Sequence, residues 1–565
     1  LIRVLEPKLG PGRTLFIGLA ANLVAFAGLA VADTGWMAYL LISFAAPGGG
    51  IVGRSVRQGR GAMTVSMNAA PGRRPGAPWS RRLRRWTWLA AMLLAPGLAG
   101  AADFDVAING GRVLDPETGL DAVRSVGIRD GRIAALAETP LAGSLEIDAG
   151  GLVVAPGFID LHAHGQDAFS NRFQVADGVT TALELEIGVL PLSDWVARRA
   201  GKALIHYGAT AGHPAARHNH LTGDAVGNIV YAGALTRDDG EFAAYRPDAA
   251  GIADIVARLE AGLDEGALGI GLGISYTPGA SHTEIFRVFE LAARRGVPVF
   301  VHMRNARTLG GDALAPLQEV LADAAATGAA LHVVHVNSST NTDAPVALAM
   351  MRGARARGVD VTTEFYPYTA GSTRLESALF DDFQGDYSTL QWTATGERLT
   401  EETFHRYRAE GGWVIQHGQD PATNAWLAAQ PDVMVASDGV PFVDGFSHPR
   451  SAGTFARVLV HYVRDEQALD LMTAVAKMTL LPARRLEAVA PAMARKGRVQ
   501  VGADADLTLF DPGQVADRAT FMEPAQASAG IRHVLVGGVP VVRDGVIQQG
   551  VFPGQAVLGG SAARP

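Results

Sequence analysis

His162 and His164 stand two residues apart in Pro156-Gly157-Phe158-Ile159-Asp160-Leu161-His162-Ala163-His164, directly after the apolar run Leu152-Val153-Val154. Residues i and i+2 of an extended strand point to one face, so both imidazoles can reach one metal ion. Three later apolar runs end in metal-ligand residue types: Val299-Phe300-Val301-His302, Leu331-His332-Val333-Val334-His335 and Val433-Met434-Val435-Ala436-Ser437-Asp438. Short apolar runs bounded by Gly and Pro read as buried parallel strands. The pattern predicts His162 and His164 on strand one, His302 on strand five, His335 on strand six and Asp438 on strand eight. Neutral imidazoles with a carboxylate suit Zn²⁺ and similar first-row ions.

A second ion needs a bridging anion. Thr181-Ala182-Leu183-Glu184-Leu185-Glu186-Ile187-Gly188 places two carboxylates on one face of an otherwise apolar strand. A buried carboxylate is costly unless it is paired or bound to metal. Glu186, nearer the strand's end, is favoured as the bridge. Glu184 then bonds a group behind the ligands, or the two exchange roles. One or two such ions lower the pKa of bound water and polarise a carbonyl. Asp438 can then take the water's proton and pass it to a leaving amine. That chemistry is hydrolysis of an amide or ester-like bond. His213, after Ala209-Thr210-Ala211-Gly212, could contact substrate or support a ligand. His332, mid-strand, is expected to face the barrel wall or a neighbouring layer. His206, His218, His220, His282, His405, His448 and His461 are expected on the surface or in loops.

These positions need a scaffold that aligns strand ends. From about residue 156 to 495, apolar strands alternate with amphipathic segments, among them Gly251 to Gly266, Thr283 to Gly296 and Ala313 to Gly328. Such alternation predicts an α/β fold, a (β/α)8 metallo-barrel. Residues 385 to 410 read as an insertion. The flanks, 103–155 and 496–558, carry hairpin signals at Asp130-Gly131, Gly537-Gly538 and Asp544-Gly545. They predict one small β-sandwich built from both ends of the folded chain.

Bulk properties narrow the field. A net charge of -7 with no basic, aromatic-laced stripe argues against nucleic acid as partner. The absence of cysteine excludes disulfides, thiolate zinc sites and cysteine nucleophiles. Arg81-Arg82-Leu83-Arg84-Arg85, the apolar run to Leu98 and Ala99-Gly100-Ala101 have the layout of a secretory signal peptide within 63–102. The chain is therefore expected in the periplasm or outside the cell. Residues 1–62, with the apolar stretch Leu15 to Val31, read as an over-extended gene start, or else as a membrane anchor. A homo-oligomer is left open.

From 103 to 550 the chain resembles the amidohydrolase superfamily, and within it the D-aminoacylase (N-acyl-D-amino-acid deacylase) family. The resemblance rests on the Gly157-to-His164 segment, Gly178-Val179-Thr180-Thr181, Gly273-Ile274-Ser275-Tyr276-Thr277-Pro278-Gly279 and His302-Met303-Arg304. It extends through Tyr366-Pro367-Tyr368-Thr369-Ala370-Gly371-Ser372, Ser437-Asp438-Gly439 and His448-Pro449-Arg450. It implies a barrel with a β-sandwich, one or two zinc ions and a small substrate with a free carboxylate. By motif, Tyr276 and Arg450 look like the residues that hold that carboxylate, and Arg304 is a further candidate contact. An arginine fork matches a carboxylate. Two departures stand out. The family usually bridges its metals with a cysteine, and Glu186 lies one residue from that position. The family also tends to have a lysine where this chain has Asn337. These mark a divergent branch, for which a dipeptidase or carboxypeptidase is the alternative, then a cyclic-amide hydrolase, then an inactive scaffold. Lys202 precedes strand three and does not suit a carboxylated bridging lysine. The retained ligands argue against the scaffold.

Overall fold

The computed structural model describes residues 103–560 apart from 233–239, 305–309 and 382. The expected leader at 63–102 and the apolar segment of 1–62 lie outside the described residues.

Eight parallel strands form the barrel: β1 (Phe158–Asp160), β2 (Val179–Val189), β3 (His206–Gly212), β4 (Ile270–Gly273), β5 (Val299–His302), β6 (Leu331–Val333), β7 (Val361–Phe365) and β8 (Val433–Val435). They pair in sequence order. A parallel bridge between Ala163 and Gly439 joins the end of β1 to the end of β8. Asp160 fastens the same seam, accepting from the Ser437 backbone N–H at 3.0 Å and its hydroxyl at 2.5 Å. The expected helices form at Ala249–Asp264, His282–Arg295 and Ala315–Thr327. Ser281 caps the second, and the left-handed Gly296 and Gly328 end the second and third. Their apolar faces pack on the strands to form the main core.

The two flanks make one sheet. Five N-terminal strands between Phe104 and Pro156 and four C-terminal strands between Leu507 and Ile547 form a nine-stranded sheet. The halves meet where Leu507–Phe510 pairs antiparallel with Val153–Pro156. Asp130-Gly131 and Asp544-Gly545 both have positive φ at both residues, as tight type I′ hairpins demand. This sheet has a separate core that includes Val106, Ile128, Val154, Leu507 and Leu535.

Val153–Pro156 runs through Gly157 straight into β1. A Cβ on Gly157 would lie 2.2 Å from the Thr180 hydroxyl oxygen, so only glycine fits. Asp506 secures the same junction. It accepts from Lys496 at 2.5 Å and the Gly537 N–H at 2.7 Å, and lies 3.1 Å from His206 at the start of β3.

Between β7 and β8 the chain makes an excursion longer than residues 385–410. Ala370–Arg374, Leu390–Trp392 and Trp413–His417 form a three-stranded antiparallel sheet. Helix Glu401–Glu410 packs on it over Phe380, Phe404 and Trp392. Among the described residues, no helix is long and apolar enough to cross a membrane.

Candidate active site

The strand ends bring six predicted residues together. His162 and His164 follow β1, Glu186 lies near the end of β2, His302 ends β5, and His335 and Asp438 lie just past β6 and β8. All six are buried. Two donor groups converge, His162–His164–Glu186 and Glu186–His302–His335. Glu186 belongs to both. Its Oε2 lies 3.1 Å from His162 Nε2 and 3.0 Å from His164 Nε2. Its Oε1 lies 2.6 Å from His302 Nδ1 and 3.1 Å from His335 Nε2. The pairing of β2 with β3 shifts register between Glu184 and Val189, where Gly188 has φ +70°. Glu186 lies within this irregularity, and both glutamates face His164.

The groups behind the ligands fix their tautomers. His162 Nδ1 lies 2.7 Å from Glu364 Oε1, and His164 Nδ1 lies 2.9 Å from Glu184 Oε2. Carboxylates only accept, so each Nδ1 carries the hydrogen and each Nε2 presents a lone pair. Those lone pairs face each other at 3.1 Å, with Glu186 and Asp438 beside them. Such a gathering of electron pairs fits a cation. The same carboxylates that would favour a cation also favour a proton on these imidazoles. Burial pushes the His162 imidazole down, but Asp438 and Glu186 outweigh it and hold it well above its usual value. Burial likewise pushes Glu186 up, yet His162 and His302 hold it well below the carboxylate range. This donor set fits first-row divalent ions, which His162, His164, Glu186, His302 and His335 would hold.

Asp438 sits at the meeting point. Its Oδ1 lies 3.3 Å from His162 Nε2, 3.5 Å from His164 Nε2 and 3.0 Å from Arg450 Nη2. Burial pushes its carboxyl up, but Arg450 and His162 pull it below the usual value. Asp438 has φ +51° and His335 φ +32°. Such conformations are costly for residues other than glycine and persist where surrounding structure enforces them.

A cavity opens above the metal groups. Tyr276, His302, His335, Asp438 and Arg450 line its floor, and Ser372, Thr373, Arg374 and Trp413 of the inserted sheet line its wall. Burial and the Glu186 charge raise the Tyr276 phenol, so it stays a donor. Its hydroxyl meets Thr373 Oγ1 at 3.1 Å. Arg450 is buried, with its guanidinium 4.6 Å from the Tyr366 ring centre. Its Nη2 donates to Asp438 and to the Ser372 carbonyl, while Nε and Nη1 have no protein partner.

Two expected substrate contacts lie elsewhere. His213 Nε2 is 2.9 Å from Glu284, which also takes Arg217 at 2.6 Å, in a fully buried cluster. Arg304 donates to Glu319 at 2.9 Å and to the Ala280 carbonyl. Neither lines the cavity, because internal carboxylates and a carbonyl already engage them. Asn337, in the lysine position, is buried and donates to the Tyr366 carbonyl. Several histidines expected outside are inside. His448 and His218 are buried, and His206 joins Asp506. His332 meets Glu364 at 3.1 Å. Sequence reading missed Glu364, which bonds both His162 and His332. It stands alone as a charge in Val361-Thr362-Thr363-Glu364-Phe365, the signal that drew attention to Glu184 and Glu186.

Residues 153–541 match the profile of the amidohydrolase family. The chain belongs to this family. Among curated relatives, the amidohydrolase is 35% identical to the N-acyl-D-glutamate deacylase of Alcaligenes xylosoxydans xylosoxydans, over 77% of this chain and 93% of the relative. It is 30% identical to the D-aminoacylase of the same organism, over 80% and 96%. Among solved structures, it matches the N-acyl-D-glutamate deacylase of Bordetella bronchiseptica at TM-score 0.67 and 29% identity, covering 80% of this chain and 99% of that one. That structure holds zinc and a phosphonate mimic of the tetrahedral intermediate. A hydantoinase at 18% identity and TM-score 0.54 shares the fold.

Proposed function

We propose that this amidohydrolase hydrolyses the amide bond of N-acyl-D-amino acids, releasing a carboxylate and a free amino acid, with zinc held by His162, His164, Glu186, His302 and His335. The observation that carries the reading is Asp438 Oδ1 poised between the His162–His164 pair and Arg450. Zinc bound there would lower the pKa of a water and polarise the substrate carbonyl. Asp438, kept ionised by Arg450, accepts a proton from the attacking water and returns it to the leaving nitrogen. Tyr276 remains protonated and donates a hydrogen bond to a substrate oxygen. Arg450 brings a buried positive charge and unpartnered N–H groups to the substrate carboxylate. Glu184 and Glu364 hold the imidazoles in orientation. The D preference rests on the deacylase relatives. Export of the chain from about Asp103 rests on the signal-like sequence before it.

The test is release of free amino acid by the zinc-loaded protein from paired D and L sets of N-acetyl amino acids and dipeptides. Turnover of N-acetyl-D substrates is expected. Turnover of dipeptides alone would move the assignment to a peptidase on the same metal groups.

A further inference from the structure

Arg374 faces the cavity, and an arginine there would ordinarily suggest an acidic substrate side chain. Its charge is already answered. Arg374 Nε lies 2.6 Å and Nη2 2.5 Å from Glu376 Oε1. The other carboxylate oxygen, Oε2, accepts the Gly412 N–H at 2.9 Å. The Glu376 side chain is only 2% exposed, while the Arg374 side chain is 19% exposed. The pair is an internal, neutral unit with the guanidinium near the Trp413 ring. Beside Ser372 and Thr373, the lining offers a group of apolar side chains: Ile187, Val230, Leu379, Phe380 and Trp413. Arg450 also pairs with a carboxylate, Asp438, through Nη2, but keeps Nε and Nη1 without protein partners.

Resting on the deacylase reading, we propose that the substrate's amino-acid side chain is aliphatic or aromatic, and that Glu376 excludes acidic ones by holding Arg374. The cavity then divides its work. Arg450 takes the α-carboxylate, and the apolar wall takes the side chain. An aspartate or glutamate side chain entering there meets a neutralised arginine and the Glu376 carboxylate behind it. Desolvation of the incoming charge is then uncompensated. This selectivity is opposite to that in the name of the N-acyl-D-glutamate deacylase relative.

The experiment measures kcat/KM of the zinc-loaded full-length protein for N-acetyl-D-leucine, N-acetyl-D-phenylalanine, N-acetyl-D-glutamate and N-acetyl-D-aspartate. The apolar substrates should exceed the acidic ones by about 100-fold or more, as uncompensated polar groups in a site imply. Glu376→Gln frees Arg374 and should raise the acidic-to-apolar ratio by about tenfold or more, the worth of one charge-assisted hydrogen bond. Preference of the wild type for acidic substrates overturns the proposal and leaves the deacylase reading standing. An unchanged ratio in a folded Glu376→Gln protein removes the role of Glu376. No turnover of any of the four removes the deacylase reading, and this proposal with it. The wild-type panel needs no variant, so the selectivity is decided even if Glu376→Gln does not fold.

Discussion

Replacing Arg450 by alanine separates two jobs that its position combines. The guanidinium contacts Asp438 at 3.0 Å, and Arg450 lines the cavity with its buried Nε and Nη1 free of protein partners. Truncating one partner of a buried, hydrogen-bonded charge pair costs about 2–5 kcal/mol, so kcat/KM for a substrate with a free carboxylate should fall about 30- to 4,000-fold. The carboxamide of the same substrate carries no such charge. It should lose only the part that comes from Asp438. The assay is kcat/KM for an N-acetyl-D-amino acid and its carboxamide, in wild type and Arg450→Ala, across pH. The acid-to-amide ratio should collapse towards one. Loss of the cation also lets the Asp438 carboxyl rise, so the acid limb of the pH–rate profile should move to higher pH for both substrates. Equal losses on the two substrates would refute carboxylate recognition and leave Arg450 as a holder of Asp438 alone.

Asp438→Asn should cut kcat by about 10²–10⁴-fold, the usual worth of a positioned general base, with zinc content by elemental analysis largely retained; near-wild-type turnover would assign the proton transfer to another group. Glu364→Gln should weaken zinc binding about 10- to 100-fold in competition with a chromophoric chelator, the usual effect of removing the partner of a ligating imidazole; an unchanged affinity would mean that His162 does not depend on that hydrogen bond. Glu284 is held at about 2, because His213 and Arg217 outweigh the burial that pushes it up. Its folded value is below the ordinary 4.5, so its contribution is full above pH 4.5 and lost as pH falls towards 2. Over that window, chemical denaturation of wild type should lose about 3 kcal/mol more than that of Glu284→Gln, and parallel pH profiles would show that the cluster adds nothing.

The ligands were legible because each ends an apolar run, where a polar residue must serve a purpose. Glu186 was legible because burying a lone carboxylate in an apolar strand needs a counter-charge. Glu364 is equally isolated among apolar and hydroxyl residues, but its partners, His162 and His332, lie far away in sequence. His206 and His448 were misplaced for a related reason. Composition and spacing do not show that Asp506 closes on His206, or that Tyr368 and Phe521 close on His448. His213 and Arg304 sit beside the right motifs. Their side chains turn towards Glu284 and Glu319, a choice made by packing between helices. The insertion expected at 385–410 is longer because its first strand, Ala370–Arg374, is small and polar and carries no alternating apolar pattern.

The nine-stranded sheet has a consequence for biosynthesis. Val153–Pro156 pairs with Leu507–Phe510, about 350 residues later, which a ribosome working at 5–20 residues per second reaches only after roughly 20–70 s. Until then the emerging chain carries an open strand edge immediately before the residues that position His162 and His164. An open edge invites pairing with other chains. The metal centre therefore depends on a segment translated long after it, and any message cut short before Leu507 would yield a protein whose ligands are all present but whose first barrel strand has lost its anchor.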